Sequence, residues 1–417
     1  MRRLLKLLLA LLVVVAVSQT PFAYRRYQFA QLDRTLRRLD AERAATDGAG
    51  FADYRGVLHV HTSLGGHSPG TPEDVIAGAR ANNLAFVVMS EHPSARFDTR
   101  ALTLDGPHGG VLFVAGSETS EDSRDRLLTF GGSASSIAAE PPAAAPAATG
   151  PPASPTQSLI DGAKSAGRLV FVAHPETFAS WQTAAGFDGM EIYNLHADAK
   201  NARPLSLFFD GLWSYRAYPH LMWTRFHQAP TENLRRWDEL TAGGRRRVVA
   251  VAGNDAHANV GLSLQELSGR PILQIKLDPY ERSFRVVRTH ALVPEGRPLD
   301  AQTLLDALAR GHAYVSFDLL CDATGFRLTA ENNSERKLMG DEIALGEGGE
   351  VRLRVATPVR SRVVLVRDGR RLDEKEGTNA EWSVRERGVY RVECFLPQLP
   401  DPLSQKPWII SNPIYVR

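Results

Sequence analysis

The chain opens on an apolar run. Leu7–Ala23 carries no charge, follows Arg2, Arg3 and Lys6, and precedes Arg25 and Arg26. Its length is at the short limit for crossing a bilayer. Two readings stay open for residues 1–26: a signal peptide cleaved at the small residues Ala16 and Ser18, or a membrane anchor that is kept. Either sends the bulk of the protein out of the cytoplasm, as a periplasmic or secreted protein. Tyr27–Ala45 has apolar residues near helical spacing among arginines, and predicts a connector helix within 27–53.

Strand-type and helix-type segments then alternate. Apolar runs at Gly56–Val60, Ala85–Met89, Val111–Ala115, Leu169–Ala173, Gly189–Tyr193 and Arg247–Ala252 predict strands. Pro72–Asn82, Gln157–Ala166 and Thr231–Leu240 predict helices. The strands are continuous apolar runs, the pattern of strands buried on both faces, so a parallel α/β sheet is expected, open or closed. Ser133–Pro155 is rich in Ala, Pro and Ser and is expected to be a disordered surface insertion. Arg285–Val293 and Gln302–Arg310 predict a last strand and helix, ending a main domain over 54–316. From about Thr324 short strands separated by turn residues predict a small antiparallel β-sandwich over 317–417.

Composition narrows this only a little. Hydrophobic residues make up 43% and charged residues 23%, as in a folded globular protein. A net charge of +2 supplies no field for nucleic acid, so no such partner is expected. Cys321 and Cys394 form no CxxC pair, which argues against a thiolate zinc site. A disulfide and two free thiols are both open for them.

The chemistry lies at the strand ends. His59 and His61 end the first strand, and His92 the next. Glu118, His174, Asn194 with His196, and Asp255 with His257 follow the later ones. In α/β barrels these ends converge on one face, where active sites sit. Side chains two apart on a strand share a face, so His59 with His61, and Asp255 with His257, are expected to point together. Packing does not require His, Glu and Asp at successive strand ends, and burying them unpaired is costly. Imidazole and carboxylate suit zinc, manganese or iron. Glu118 is the natural bridging carboxylate.

LHVHTSLGGHSPGTPEDVIAGARANNLAFVVMSEH, followed by GSE, AHPE and GNDAH, resembles the polymerase and histidinol phosphatase (PHP) superfamily over about residues 54–316. More narrowly it resembles the carbaryl-hydrolase-like CehA/McbA branch. The resemblance implies a distorted (β/α)7 PHP-type barrel with two or three divalent ions (Zn, Mn or Fe). By motif, His59, His61, Glu118 and Asp255 would hold the first ion. Glu118 would bridge to a second held by His174, and His67, His92 and His257 would hold a third. Relatives often carry a further His after the Glu motif. Here Ser123–Leu128 stands in its place, where Asp125 could substitute, Arg126 could contact a phosphate, or the loop could simply be solvated.

The expected activity is hydrolysis by a metal-activated hydroxide, with Glu118 and Asp255 in the catalytic machinery and His196 as a candidate proton donor. Arg126 and Arg96 are candidate substrate contacts. A small-molecule phosphoester comes first as substrate and a carbamate or carboxyl ester second. A cationic pocket would favour the former. An aromatic wall drawn from Trp181, Phe208, Phe209, Trp213, Tyr215, Tyr218 and Trp223 would favour the latter. A non-catalytic metal-binding scaffold is the reading of another class.

Overall fold

The computed structural model describes residues 2–120, 124–132, 154–200, 209–211, 213–259, 261–265, 271–276, 278–345 and 349–417. Phe208 and all but the end of the Ala/Pro-rich stretch lie outside them.

The apolar runs form the strands they predict. β1 is Phe51–Val60, β2 Phe86–Met89, β3 Val111–Val114, β4 Gly116–Thr119, β5 Arg126–Phe130, β6 Leu169–Ala173, β7 Gly189–Asn194 and β8 Val249–Ala256. Helices lie between them, and the Thr71 and Ser154 side chains cap the starts of two of them. Helix α1 (Arg2–Ala41) precedes the sheet. Helix α2 (Pro72–Ala81) has Pro72 in its first turn and a Thr71/Asp74 capping box. Helices α3 (Pro155–Ser165) and α4 (Thr231–Thr241) lead into β6 and β8.

The result is a mixed α/β fold with one large sheet. β8, β1, β2 and β3 pair in parallel, as do β6, β7 and β8. The expected all-parallel pattern fails at β4 and β5, where β4/β5 and β5/β6 are antiparallel. So 126–130 is a strand, not a solvated loop. The departure has a local cause. Gly116 lies where a Cβ would sit 2.4 Å from the Met89 carbonyl oxygen, so β4 follows β3 against β2 with no crossover helix. Glu91 bridges to Ser117 and so brings the end of β2 beside β4.

The sheet continues into the C-terminal strands. β9 (Arg288–Pro294) pairs antiparallel with β1 and with β10 (Ala313–Ser316), and α5 (Ala301–Arg310) lies between them in sequence. β10 in turn pairs with Ile409–Ser411, as Tyr314 with Ser411. A long hairpin of Val351–Arg367 and Arg370–Val384 packs next to Gly388–Phe395. One hydrophobic cluster runs from Val170 and Met190 through Trp237 to Leu353 and Trp408, joining the two regions. Cys321 and Cys394 are free and buried. Burial pushes the Cys321 thiol up to about 12.

Helix α1 is continuous across residues 26 and 27. Its second half is docked, with Phe22, Phe29, Leu32 and Leu39 buried. Each such side chain contributes roughly 1.5–3 kcal/mol.

Candidate metal centre

The strand ends do converge, through backbone that strands do not normally adopt. His59, His174 and Asp255 have φ of 66°, 47° and 49°. Left-handed backbone at a non-glycine residue costs roughly 1–3 kcal/mol and persists only where the surroundings enforce it. At His59 the register of β1 shifts against both β2 and β8. His59 and His61 therefore meet through a bulge, not through plain alternation, with their rings 5.0 Å apart.

Two groups of ligand atoms result: His59, Glu118, His174 and Asp255 in one, and His61, His92 and His257 in the other. In the first, His59 Nε2 lies 3.3 Å from both Glu118 Oε2 and Asp255 Oδ1. His174 Nε2 lies 3.5 Å from Glu118 Oε1 and 3.4 Å from Asp255 Oδ2. Glu118 Oε2 also faces His61 Nε2 and His92 Nε2, each at 3.4 Å, so this carboxylate touches both groups. In the second group the His61 ring stacks on those of His92 and His257 at 4.7 and 4.5 Å. His61 Nε2 also lies 3.4 Å from Asp255 Oδ1, so the motif-based set of His59, His61, Glu118 and Asp255 is brought together as well, with His174 beside it.

These side chains are held from behind. His59 Nδ1 is 2.6 Å from Glu191 Oε1, which leaves Nε2 to face the centre. The other oxygen of Glu191 accepts from the His174 backbone N–H and from Asn194 Nδ2, both at 3.1 Å. A Cβ on Gly253 would lie 1.9 Å from Glu191 Oε1, so only glycine leaves room for this carboxylate. His257 Nδ1 donates to the Asp255 carbonyl at 2.8 Å. Glu176 lies 3.4 Å from His174 Nδ1. Glu191 and Glu176 are the residues sequence reasoning missed. The available signals are a charge inside the apolar strand GMEIYN, and the acid that closes AHPE.

Electrostatics follow from burial. Burial alone would raise Glu118 and Asp255, but the facing imidazoles, His59 foremost, hold both carboxyls well below the usual range. Burial would lower His59, yet Glu191, Asp255 and Glu118 raise it well above its ordinary value. Burial drives His92 and His257 down to about 4, so both rings are neutral at pH 7, the form that ligates metal.

The other expected residues fall into place around this. His67 is exposed, its ring 4.5 Å from that of His92 and outside both groups. The His196 ring lies 5.2 Å from that of His257. Arg126 Nη1 donates to Glu118 Oε1 at 3.4 Å. Asp125 does not substitute for the absent histidine. Its carboxylate accepts from Thr156 Oγ1 and the Ala179 N–H, both at 2.7 Å, and from Ser180, fastening the Ala179–Ser180 turn. Arg96 is exposed, with no contact to the cluster among the described residues. The aromatics serve elsewhere: Trp181 packs on Phe178, Trp223 on Phe226, Tyr218 on Phe29, and Phe209 and Trp213 on Phe22.

The donor set fits divalent cations. His59 Nε2, Glu118 Oε2 and His174 Nε2 are buried without a hydrogen-bond partner, and they face one another. Buried polar atoms are normally satisfied. A cation among them would satisfy all three.

No protein-family model matches the chain, and no curated protein matches it. Among solved structures it is similar to a two-domain protein of Bacteroides vulgatus described as containing a predicted PHP-like metal-dependent phosphoesterase. The two are 14% identical over 89% of this chain and 97% of that one, with a TM-score of 0.40. It is also similar to PsfC of Pseudomonas syringae, at 13% identity over 64% of this chain and 92% of that one, TM-score 0.36. A protein of Bifidobacterium adolescentis assigned as a metal-dependent phosphoesterase is 14% identical over 61% of this chain and 96% of that one, TM-score 0.28. The likeness is remote at these values, and function has to be read from the chain's own side chains.

Proposed function

We propose that the protein is a metal-dependent hydrolase of PHP type, acting first on phosphoesters. Its strands β1–β8 would form the family's distorted barrel. His59, Glu118, His174 and Asp255 would hold one ion and His61, His92 and His257 another, with Glu118 shared. The observation that carries this is the set of buried nitrogen and oxygen atoms without hydrogen-bond partners on His59, Glu118 and His174, turned toward one another beside Asp255. Bound divalent cations would acidify a water and polarise the attacked oxygen.

The protein's own groups set the rest. Glu191 fixes the His59 tautomer by holding Nδ1. Arg126, beside Glu118 and partly exposed, offers the cationic donor that a phosphate oxygen takes. His196, at the edge of the second group, would hand a proton to a leaving group. Arg126 favours phosphoesters over carbamates, since Trp181, Phe209, Trp213, Tyr218 and Trp223, which could have walled an aryl carbamate, pack on other aromatic rings and Tyr215 faces Arg282.

The test uses the full chain in detergent, because α1 is packed on the body. The protein is stripped with chelator and assayed on p-nitrophenyl phosphate, bis-p-nitrophenyl phosphate and aryl carbamates with Zn²⁺ or Mn²⁺ restored. Metal-dependent turnover of a phosphoester is expected, with kcat/KM reduced in Arg126→Ala. Tight metal retention without turnover on any substrate would instead favour a metal-binding scaffold.

A further inference from the structure

Helix α1 has two unlike halves. The large apolar residues from Leu4 to Val17 are 47–68% exposed. From Phe22 onward the buried residues Phe22, Phe29, Leu32 and Leu39 recur at helical spacing against the body. The helix runs unbroken between the halves, with only Ser18, Gln19, Thr20 and Pro21 between Val17 and Phe22. The uncharged run Leu7–Ala23 spans about 26 Å at 1.5 Å per residue. It ends where Phe22 already packs on Phe209 at 5.0 Å and Trp213 at 6.3 Å.

The exposed half is apolar around its whole circumference. A second copy of the chain would call for a narrow seam; an all-round apolar surface of this length calls for hydrocarbon. At the junction stand exposed aromatics: Tyr24 at 58%, Tyr27 at 57% and Trp213 at 40%. Such amphipathic rings suit a membrane–water interface. The junction is also tied down. Arg25 lies 3.6 Å from the buried Asp210, which Arg225 holds as well, and Arg26 Nη1 donates to the Trp213 carbonyl.

We propose that α1 is kept as a bilayer anchor, and that Tyr24, Tyr27 and Trp213 form an interfacial belt seating the body directly on the lipid surface. The body that carries the metal centre is then tethered to the bilayer. This inference is independent of the chemistry the centre performs.

Full-length protein is expressed with its native N-terminus and reconstituted in phosphatidylcholine/phosphatidylglycerol vesicles, with and without brominated acyl chains. The expected result is a membrane-bound chain that resists alkaline carbonate and retains Leu7–Val17 on N-terminal sequencing. Brominated lipid should quench its tryptophan fluorescence, and Trp213→Phe should remove half or more of that quenching with the circular dichroism spectrum unchanged. A soluble chain beginning at Gln19 would overturn the proposal. So would a soluble lipid-free oligomer burying α1, or Trp213→Phe protein quenched as strongly as the parent.

Discussion

Two buried ionic clusters occupy opposite ends of β1, and they differ in one respect. At its start, Asp53 accepts from Tyr314 and the Gly325 N–H at 2.8 Å and from Arg327 at 3.0 Å, and pairs with His290 Nδ1 at 2.8 Å. Asp318 takes the other side of His290 at 3.3 Å and Arg288 at 3.1 Å. Every charged group there has a hydrogen-bonded partner of opposite sign. At the other end His59, Glu118 and His174 keep unpartnered atoms, and His59, His174 and Asp255 sit in left-handed backbone. Burial and charge are common to both, so neither marks function. Unmet valence combined with stored strain distinguishes the end built to receive something.

Asp255→Gly should separate the two ends most clearly. Glycine accepts the φ of 49° without strain, so metal-stripped protein should be no less stable than the parent in urea unfolding. Bound metal should be lost, and turnover should fall by on the order of 10³-fold, the several kcal/mol that metal-ion stabilisation supplies. Unchanged metal content by elemental analysis would remove Asp255 from the centre.

At the other end, Asp53→Ala leaves His290 and Arg327 short of a partner and should cost about 3–5 kcal/mol of stability. Metal bound per folded chain should not change. The comparison fails if metal is lost while the urea midpoint stays put.

His290 gives that end a pH signature. Burial would lower it, but Asp53 and Asp318 raise it to about 9 from an ordinary 6.5. The folded protein thus keeps a proton that the unfolded chain releases. The stabilisation is full below about 6.5 and is lost as pH climbs through 9, on the order of 3 kcal/mol in all. Unfolding free energies between pH 6 and 9 should fall in the parent and stay flatter in His290→Asn.

The smallest expected effect is behind the metal ligands. Glu191→Gln should loosen His59 and weaken metal affinity roughly 10- to 100-fold. Gly253→Ala, whose Cβ would collide with the same carboxylate, should act in the same direction. Competition with a chromogenic chelator measures both.

Much of this was legible in the chain. Short apolar runs followed at once by His, Glu or Asp locate strands and ligand types together, because local hydrophobicity drives strand burial and the next residues must emerge at the strand end. The all-round apolar start and the capping residues of α2 are equally local. The rest depends on angles and distant partners. His174 lies with His59 because left-handed backbone at both, with a bulge at His59, turns their rings inward. Glu191 backs His59 from a strand 132 positions away. Asp125 is spent on a turn, β5 returns antiparallel, and the C-terminal strands extend the same sheet through Tyr314 and Ser411. None of these has a local signature, since hydrogen-bond partners and side-chain directions are settled only when remote segments meet.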